Sequence, residues 1–226
     1  QERILAAHVV IIGAGGLGSP AALYLGSAGV GHMTIVDNDT VDMTNLQRQL
    51  AHTTARSGMP KVDAIRTAVH AINPEVDIHC IQERATDALL DELLPEATVV
   101  LDCTDNYKTR QAINAACVRH GTPLIEGAAI RVDGQLMVID PRVSDSPCYA
   151  CVFPPEAEFE EIQCSTMGVF APLVGLIGIQ QAAEAMKLIV GFGQPSVGRL
   201  QMLDARTLEW STMKIARVKT CVVCGS

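Results

Sequence analysis

A run of apolar, largely β-branched residues, His8-Val-Val-Ile-Ile, leads directly into Gly13-Ala-Gly15-Gly16-Leu-Gly18. A short uninterrupted apolar run predicts a central parallel strand covered on both faces. The glycines permit a tight turn and let the backbone approach a phosphate. The helix they introduce, over residues 17–28, offers unpaired N–H groups and the positive end of its dipole. A second strand over 33–37 ends on Asp37, at the spacing where a carboxylate can accept hydrogen bonds from ribose hydroxyls. Strand, glycine turn, helix and strand make one βαβ unit.

The alternation continues with a helix over 61–72, a strand over 76–81, a helix over 87–94, a strand over 98–103 and a helix over 107–120. This predicts a Rossmann-like, doubly wound open sheet. After Pro123 the pattern changes. Strands are expected over 124–125, 134–140, 199–204 and 208–215, with one long helix over 169–190 and a hairpin-length link between the last two strands. The expected fold is therefore α/β, parallel in the N-terminal half and extended by mixed or antiparallel strands in the C-terminal half. A single domain spans 1–226, with a nucleotide-binding half at 1–122 and a second half at 123–226. The segment 154–163, with two prolines and four glutamates, predicts a mobile acidic loop.

Charge narrows the function classes. Seventeen basic residues against 25 acidic ones give a net charge of -8 with no basic stripe, which argues against a nucleic-acid partner. The opening residues carry no signal-peptide pattern, so a cytoplasmic location is expected. The uncharged stretch 164–183 has the length of a membrane span, but Pro172, Gln180, Gln181 and three glycines mark it as a buried helix with close backbone neighbours.

The glycine turn with Asp37 points to a nucleotide, and NAD is the default for such a pattern. Thr44, Asn45, Gln47, Arg48 and Lys61 argue for a triphosphate instead, since Arg48 offers a fork of donors and Lys61 a compact charge. Asp102-Cys-Thr-Asp105-Asn106 follows at the C-terminal end of a strand, the edge where open α/β sheets bind ligands. A carboxylate there beside a triphosphate can hold magnesium. Alternatively Asp102, Thr104 or Asp105 caps the next helix.

Of eight cysteines, four form two pairs of equal spacing, Cys148 with Cys151 and Cys221 with Cys224. Together they supply the four thiolates of a closed tetrahedral zinc site that would staple the C-terminal tail to the sheet. A redox pair is the competing reading, but it needs only one of them. Cys80, Cys103 and Cys117 fall inside expected elements as small core residues. Cys164 precedes the long helix. A helix N-terminus can activate a thiol, the neighbouring glutamates oppose that, and catalysis by Cys164 stays open on spacing alone.

These pieces resemble the ubiquitin-activating-enzyme-like adenylyltransferases of the ThiF/MoeB/HesA group. The resemblance is carried by Gly13-Ala-Gly-Gly-Leu-Gly18, Ala28-Gly-Val-Gly31, Val36-Asp-Asn-Asp39, Thr44-Asn-Leu-Gln-Arg-Gln49, Lys61, Ile72-Asn-Pro74, Asp102-Cys-Thr-Asp-Asn106, Gly127-Ala-Ala129, Gly168-Val-Phe-Ala-Pro172 and both cysteine pairs. It covers essentially the whole chain. Asn114-Ala-Ala-Cys117 and Gly134-Gln-Leu-Met137 stand nearer the thiamine-pathway member than the molybdopterin one.

The resemblance implies transfer of AMP from ATP to the C-terminal glycine carboxylate of a small ubiquitin-like sulfur-carrier protein, with release of pyrophosphate, for thiamine or molybdopterin synthesis. It implies ATP and magnesium as well as zinc, a homodimer, and a sulfurtransferase or cysteine desulfurase as a further partner. The second half of the chain would then bind the carrier and the zinc. By the family's pattern Gly13, Gly15, Gly16 and Gly18 form the nucleotide turn, with Gly16 approaching the phosphates. Asp37 holds the ribose, with Asp39 beside it. Thr44, Asn45, Gln47, Arg48 and Lys61 bind the triphosphate, Arg48 and Lys61 as catalytic cations. Asp105 binds magnesium next to Asn106, and Cys164 matches a crossover-loop cysteine that bonds to the carrier in some members. The family's arginine that reaches into the partner's ATP site belongs to a segment before Gln1, and Arg3 stands too close to the first strand to replace it.

Three alternatives are weighed against this. An NAD-dependent oxidoreductase would leave Arg48, Lys61, Asp105 and the four paired cysteines without roles. A non-catalytic binder of a ubiquitin-like protein would not need the nucleotide residues. A relative that adenylates a peptide or a modified tRNA base is the third, and the acidic charge disfavours its tRNA version.

Overall fold

The computed structural model describes residues 1–156 and 168–225. Eight strands form one sheet: β1 (His8–Ile12), β2 (His32–Val36), β3 (Asp77–Ile81), β4 (Val99–Asp102), β5 (Leu124–Ile130), β6 (Asp133–Ile139), β7 (Arg199–Asp204) and β8 (Glu209–Lys214). Their order is β3-β2-β1-β4-β5-β6-β7-β8. The first five run parallel and the last three continue antiparallel. The order reverses between β1 and β4, which places a topological switch point between their C-terminal ends.

The helices are α1 (Glu2–Leu5), α2 (Gly18–Ser27), α3 (Lys61–His70), α4 (Asp87–Leu93), α5 (Tyr107–His120) and α6 (Ala171–Val190). Alternate residues of β1 feed two cores. Val9 and Ile11 pack with α2, α3 and α6 on one face, while Val10 and Ile12 pack with α4 and α5 on the other. That is why the run carries no polar alternation. The last four residues of β1 are at most 2% exposed.

Local signals explain the helix ends. The Asn106 side chain accepts the Thr109 N–H at 2.8 Å to start α5, and Gly121, left-handed at φ 69, stops it. The cap is therefore Asn106, and not Asp102, Thr104 or Asp105. α6 has the length and hydropathy of a span, yet half of it is buried inside the protein. Its Gly178 meets its own chain, since a Cβ there would lie 2.2 Å from the Leu17 carbonyl oxygen.

Two expectations need correction. β5 runs from Leu124 to Ile130 and not only over 124–125. Gly127, Ala128 and Ala129 have weak strand preference, but β6 pairs with all seven residues, and Gly127 leaves room for the Gln181 side chain of α6. The short α1 was not expected at all. Most of the acidic segment 154–163, and Cys164, lie outside the described residues.

Candidate functional site

The glycine turn follows β1 at the switch point. Gly13 adopts φ +101, and a Cβ on it would lie 2.6 Å from the Cys103 carbonyl oxygen. Both the left-handed backbone and the close approach of the β4 end demand glycine here. Gly18 serves the shape of the turn. It does not line the cavity; a Cβ on it would lie 1.9 Å from the Gly13 carbonyl oxygen, so it lets the turn fold onto the start of α2.

Asp37 stands one residue past β2. Its Oδ2 accepts the Ala14 N–H at 2.6 Å and its Oδ1 the Asp39 N–H at 2.8 Å. Burial pushes its carboxyl above the ordinary range, while Lys61 and the two N–H donors work against that. Lys61 opens α3 with its side chain 7% exposed, and its Nζ donates to Asp39 Oδ2 at 2.8 Å. A cation at a helix N-terminus opposes the dipole, and the Asp39 carboxylate offsets that cost.

Sequence reasoning missed His52. Only 5% exposed, it reaches back to the turn, and because the Ala14 carbonyl can only accept, Nε2–H donates to it at 2.9 Å. Burial lowers its pKa, which keeps the ring neutral with this tautomer.

Between the ends of β1, β2, β4 and β5 opens a cavity of about 920 Å³. That is at the upper end of the range for small-molecule sites. Gly13, Gly15, Gly16, Asp37, Asp39, Arg48, Lys61, Asp105 and Asn106 all line it. These nine residues come from the three connections that follow β1, β2 and β4, and the fold brings them together. Arg48 is half-buried, and its Nη2 donates to Asn45 Oδ1 at 2.5 Å. Asn45 thus orients Arg48 and does not itself line the cavity. Thr44 and Gln47 are also absent from the lining. Thr44 is exposed, with its N–H and hydroxyl bound to Asp42 Oδ1 at 2.7 and 2.6 Å, and Gln47 is exposed to solvent. The amide that faces the cavity is Gln49, buried, with no partner for Oε1 among the described residues. The reason is local. The 3-10 turn over Met43–Asn45 and the bonds from the N–H groups of Arg48 and Gln49 to the Asn45 carbonyl turn 47 outward and 49 inward.

The far wall carries Glu83, Arg84, Thr86, Asp87 and Lys108, which motif spacing did not single out, while Ala128, Ala129, Ile130 and Gln135 continue the cavity along β5 and β6.

A second cluster sits on the α5 side of the sheet. The sulfurs of Cys148, Cys151, Cys221 and Cys224 lie within 4.8 Å of one another, with separations of 3.6 Å for Cys148–Cys221 and 3.4 Å for Cys151–Cys224. A tetrahedral zinc with Zn–S near 2.3 Å requires S–S distances of about 3.8 Å. The four residues fit that ion, and none is disulfide-bonded. The Arg217 guanidinium donates to the Cys224 carbonyl and, at 2.6 Å, to that of Ser144, fastening the tail from outside.

The strand order, the glycine turn at the switch point and the antiparallel extension define a Rossmann-like α/β protein with a nucleotide-sized cavity. The chain belongs to the ThiF family, whose sequence profile matches residues 1–223. It is 44% identical to the sulfur carrier protein ThiS adenylyltransferase of Escherichia coli K12 over the whole chain and 88% of that protein. It is also 44% identical to the molybdopterin-synthase adenylyltransferase of the same organism, covering the whole chain and 90% of that protein. The equal identities give no preference between the two pathways. A crystal structure of E. coli MccB with ATP superposes with a TM-score of 0.86 at 24% identity, over the whole of this chain and 69% of that one, and shows the same fold.

Proposed function

We propose that this protein adenylates the C-terminal glycine of a small ubiquitin-like sulfur-carrier protein with ATP, releasing pyrophosphate. The single observation that supports this most is the convergence of Arg48 and Lys61 with Asp37 and Asp105 around one cavity that continues along β5 and β6. The nucleotide end holds the cations, and the lane beside Ala128 and Ala129 suits a narrow Gly-Gly tail.

In this reading Gly15 and Gly16 present their N–H groups to the phosphates, the N–H groups of Gly13 and Ala14 being held by Val36 and Asp37, and Asp37 accepts from the ribose. One carboxylate oxygen of the carrier attacks the α-phosphorus. The bond from that phosphorus to the bridging oxygen breaks, and pyrophosphate leaves with the electron pair. The carboxylate is itself the nucleophile, so no general base is required. Arg48 and Lys61 face the phosphates and offset the charge that gathers on them. Asp105, exposed at the cavity wall, would hold magnesium together with phosphate oxygens, and the ion when bound neutralises leaving-group charge. The four cysteines would hold a structural zinc, and unpaired thiols fit a reducing cytoplasm. Exposed Tyr24, Leu176 and Ile179 on α2 and α6 support assembly as a homodimer.

Intact-mass spectrometry of candidate carriers ending in Gly-Gly, incubated with the protein and magnesium-ATP, tests the reading. The expected product is a carrier heavier by one AMP, absent when the tail is deleted. Unmodified carriers throughout, with ATP bound, would refute it.

A further inference from the structure

A buried ionic cluster beneath the 103–106 loop has no part in the scheme above. Asp102 closes β4 and is the register partner of Glu126 on β5, so both carboxyls leave the sheet on one face. They are 0% and 1% exposed. One cation pairs with Glu126 and acts on Asp102 through space. Arg110 of α5, 8% exposed, donates through Nη1 to Glu126 Oε1 and through Nη2 to the Thr104 carbonyl. Asp102 Oδ1 accepts the Thr104 N–H at 2.9 Å and its hydroxyl at 2.7 Å. Asp102 Oδ2 and Glu126 Oε2 have no hydrogen-bond donor among the described residues.

An ion pair that only holds helix to sheet needs one carboxylate per guanidinium. A second buried carboxyl with an unfilled oxygen adds desolvation cost without packing. What this arrangement does achieve is to grip Thr104 from both sides, its N–H and hydroxyl by Asp102 and its carbonyl by Arg110. The next residue is Asp105.

We propose that Arg110 and Glu126 are positioning residues: through the Thr104 carbonyl they fix the loop that aims Asp105 into the cavity before nucleotide arrives. This rests on the reading of Asp105 as the magnesium-binding carboxylate. Glu126 orients Arg110, Arg110 holds Thr104, and Asp105 inherits its direction. Glu126 does not line the cavity, and Arg110, which does, commits both its Nη groups to Glu126 and Thr104.

The test is ATP affinity of the full chain by calorimetry, with magnesium and in EDTA, so that no turnover is needed. In the wild type, magnesium tightens ATP binding. In Arg110→Lys, whose single ammonium cannot span Glu126 and Thr104 as a fork does, that tightening falls by about tenfold or more. Affinity in EDTA changes by no more than about threefold, because the second-sphere loss is confined to the metal. Glu126→Ala behaves likewise, and Glu126→Gln, which keeps an oxygen for Arg110, recovers most of the loss. If Glu126→Ala melts below the assay temperature, the other two variants decide. Full magnesium tightening in Arg110→Lys, or equal losses with and without the metal, would overturn the inference and leave the reading of Asp105 standing. A wild type indifferent to magnesium would overturn both.

Discussion

The carboxylate of Asp37 accepts the backbone N–H of Ala14 at 2.6 Å, binding the residue after β2 to the turn after β1. The acid that would meet the ribose thus also holds the phosphate turn in shape. Asp37→Asn keeps one acceptor but loses the charge. ATP affinity is expected to fall by about 10–100-fold, the worth of a charge-assisted hydrogen bond, with a smaller loss of melting temperature because the amide can accept only one of the Ala14 and Asp39 N–H groups. Asp37→Ala removes the tie to Ala14 as well and lowers both. Calorimetry and thermal melts on the two variants separate the roles.

The glycines of the turn are not equivalent. Gly18→Ala and Gly13→Ala drive a methyl into backbone and are expected to destabilise the fold by about 1–3 kcal/mol or more. A Cβ on Gly15 lies 3.4 Å from Gln49 Nε2, and its backbone is not left-handed. Gly15→Ala therefore folds with near wild-type stability but holds ATP more weakly, because the methyl stands where phosphate approaches. Urea titrations beside ATP binding read the difference.

Metal analysis should return about one zinc per chain. Cys221→Ser should lose it and lower the melting temperature by at least about 2–4 °C, the shift that 1 kcal/mol gives in a chain of this size. Zinc content unchanged in that variant would place the metal elsewhere.

His52 makes stability depend on pH. Its folded pKa lies below the unfolded value, so the unfolded chain binds more protons as the pH falls. The contribution is complete above about pH 6.5 and is lost as the pH falls towards the folded pKa. His52→Gln, which still offers an N–H to Ala14, should flatten the decline in melting temperature on acidification. An identical pH slope in both proteins would contradict the neutral, turn-bracing imidazole.

Much of this was legible because it depends on local chemistry. A β-branched run leading into a glycine turn declares a central strand, and Gly121 marks the end of α5, whereas its cap, Asn106, was not the residue expected. The paired cysteines declare their cluster however far apart they stand. What stayed hidden depends on how the chain comes together. Gln47 and Gln49 look alike in sequence, and only the 3-10 turn at 43–45 decides which faces the cavity. His52 has no motif around it, and its role exists only once the loop brings it under Ala14. Glu126 and Asp102 meet by strand register alone. The alanine-rich middle of β5 reads poorly because its partners, not its propensity, hold it extended.

The most direct test of the central claim is ATP–pyrophosphate exchange with purified protein and single carriers ending in Gly-Gly. Exchange that requires magnesium, needs an intact tail and disappears in Asp105→Ala is the expected result. Exchange that survives tail deletion, or none with any carrier despite tight ATP binding, would contradict activation of a carrier carboxylate by this site.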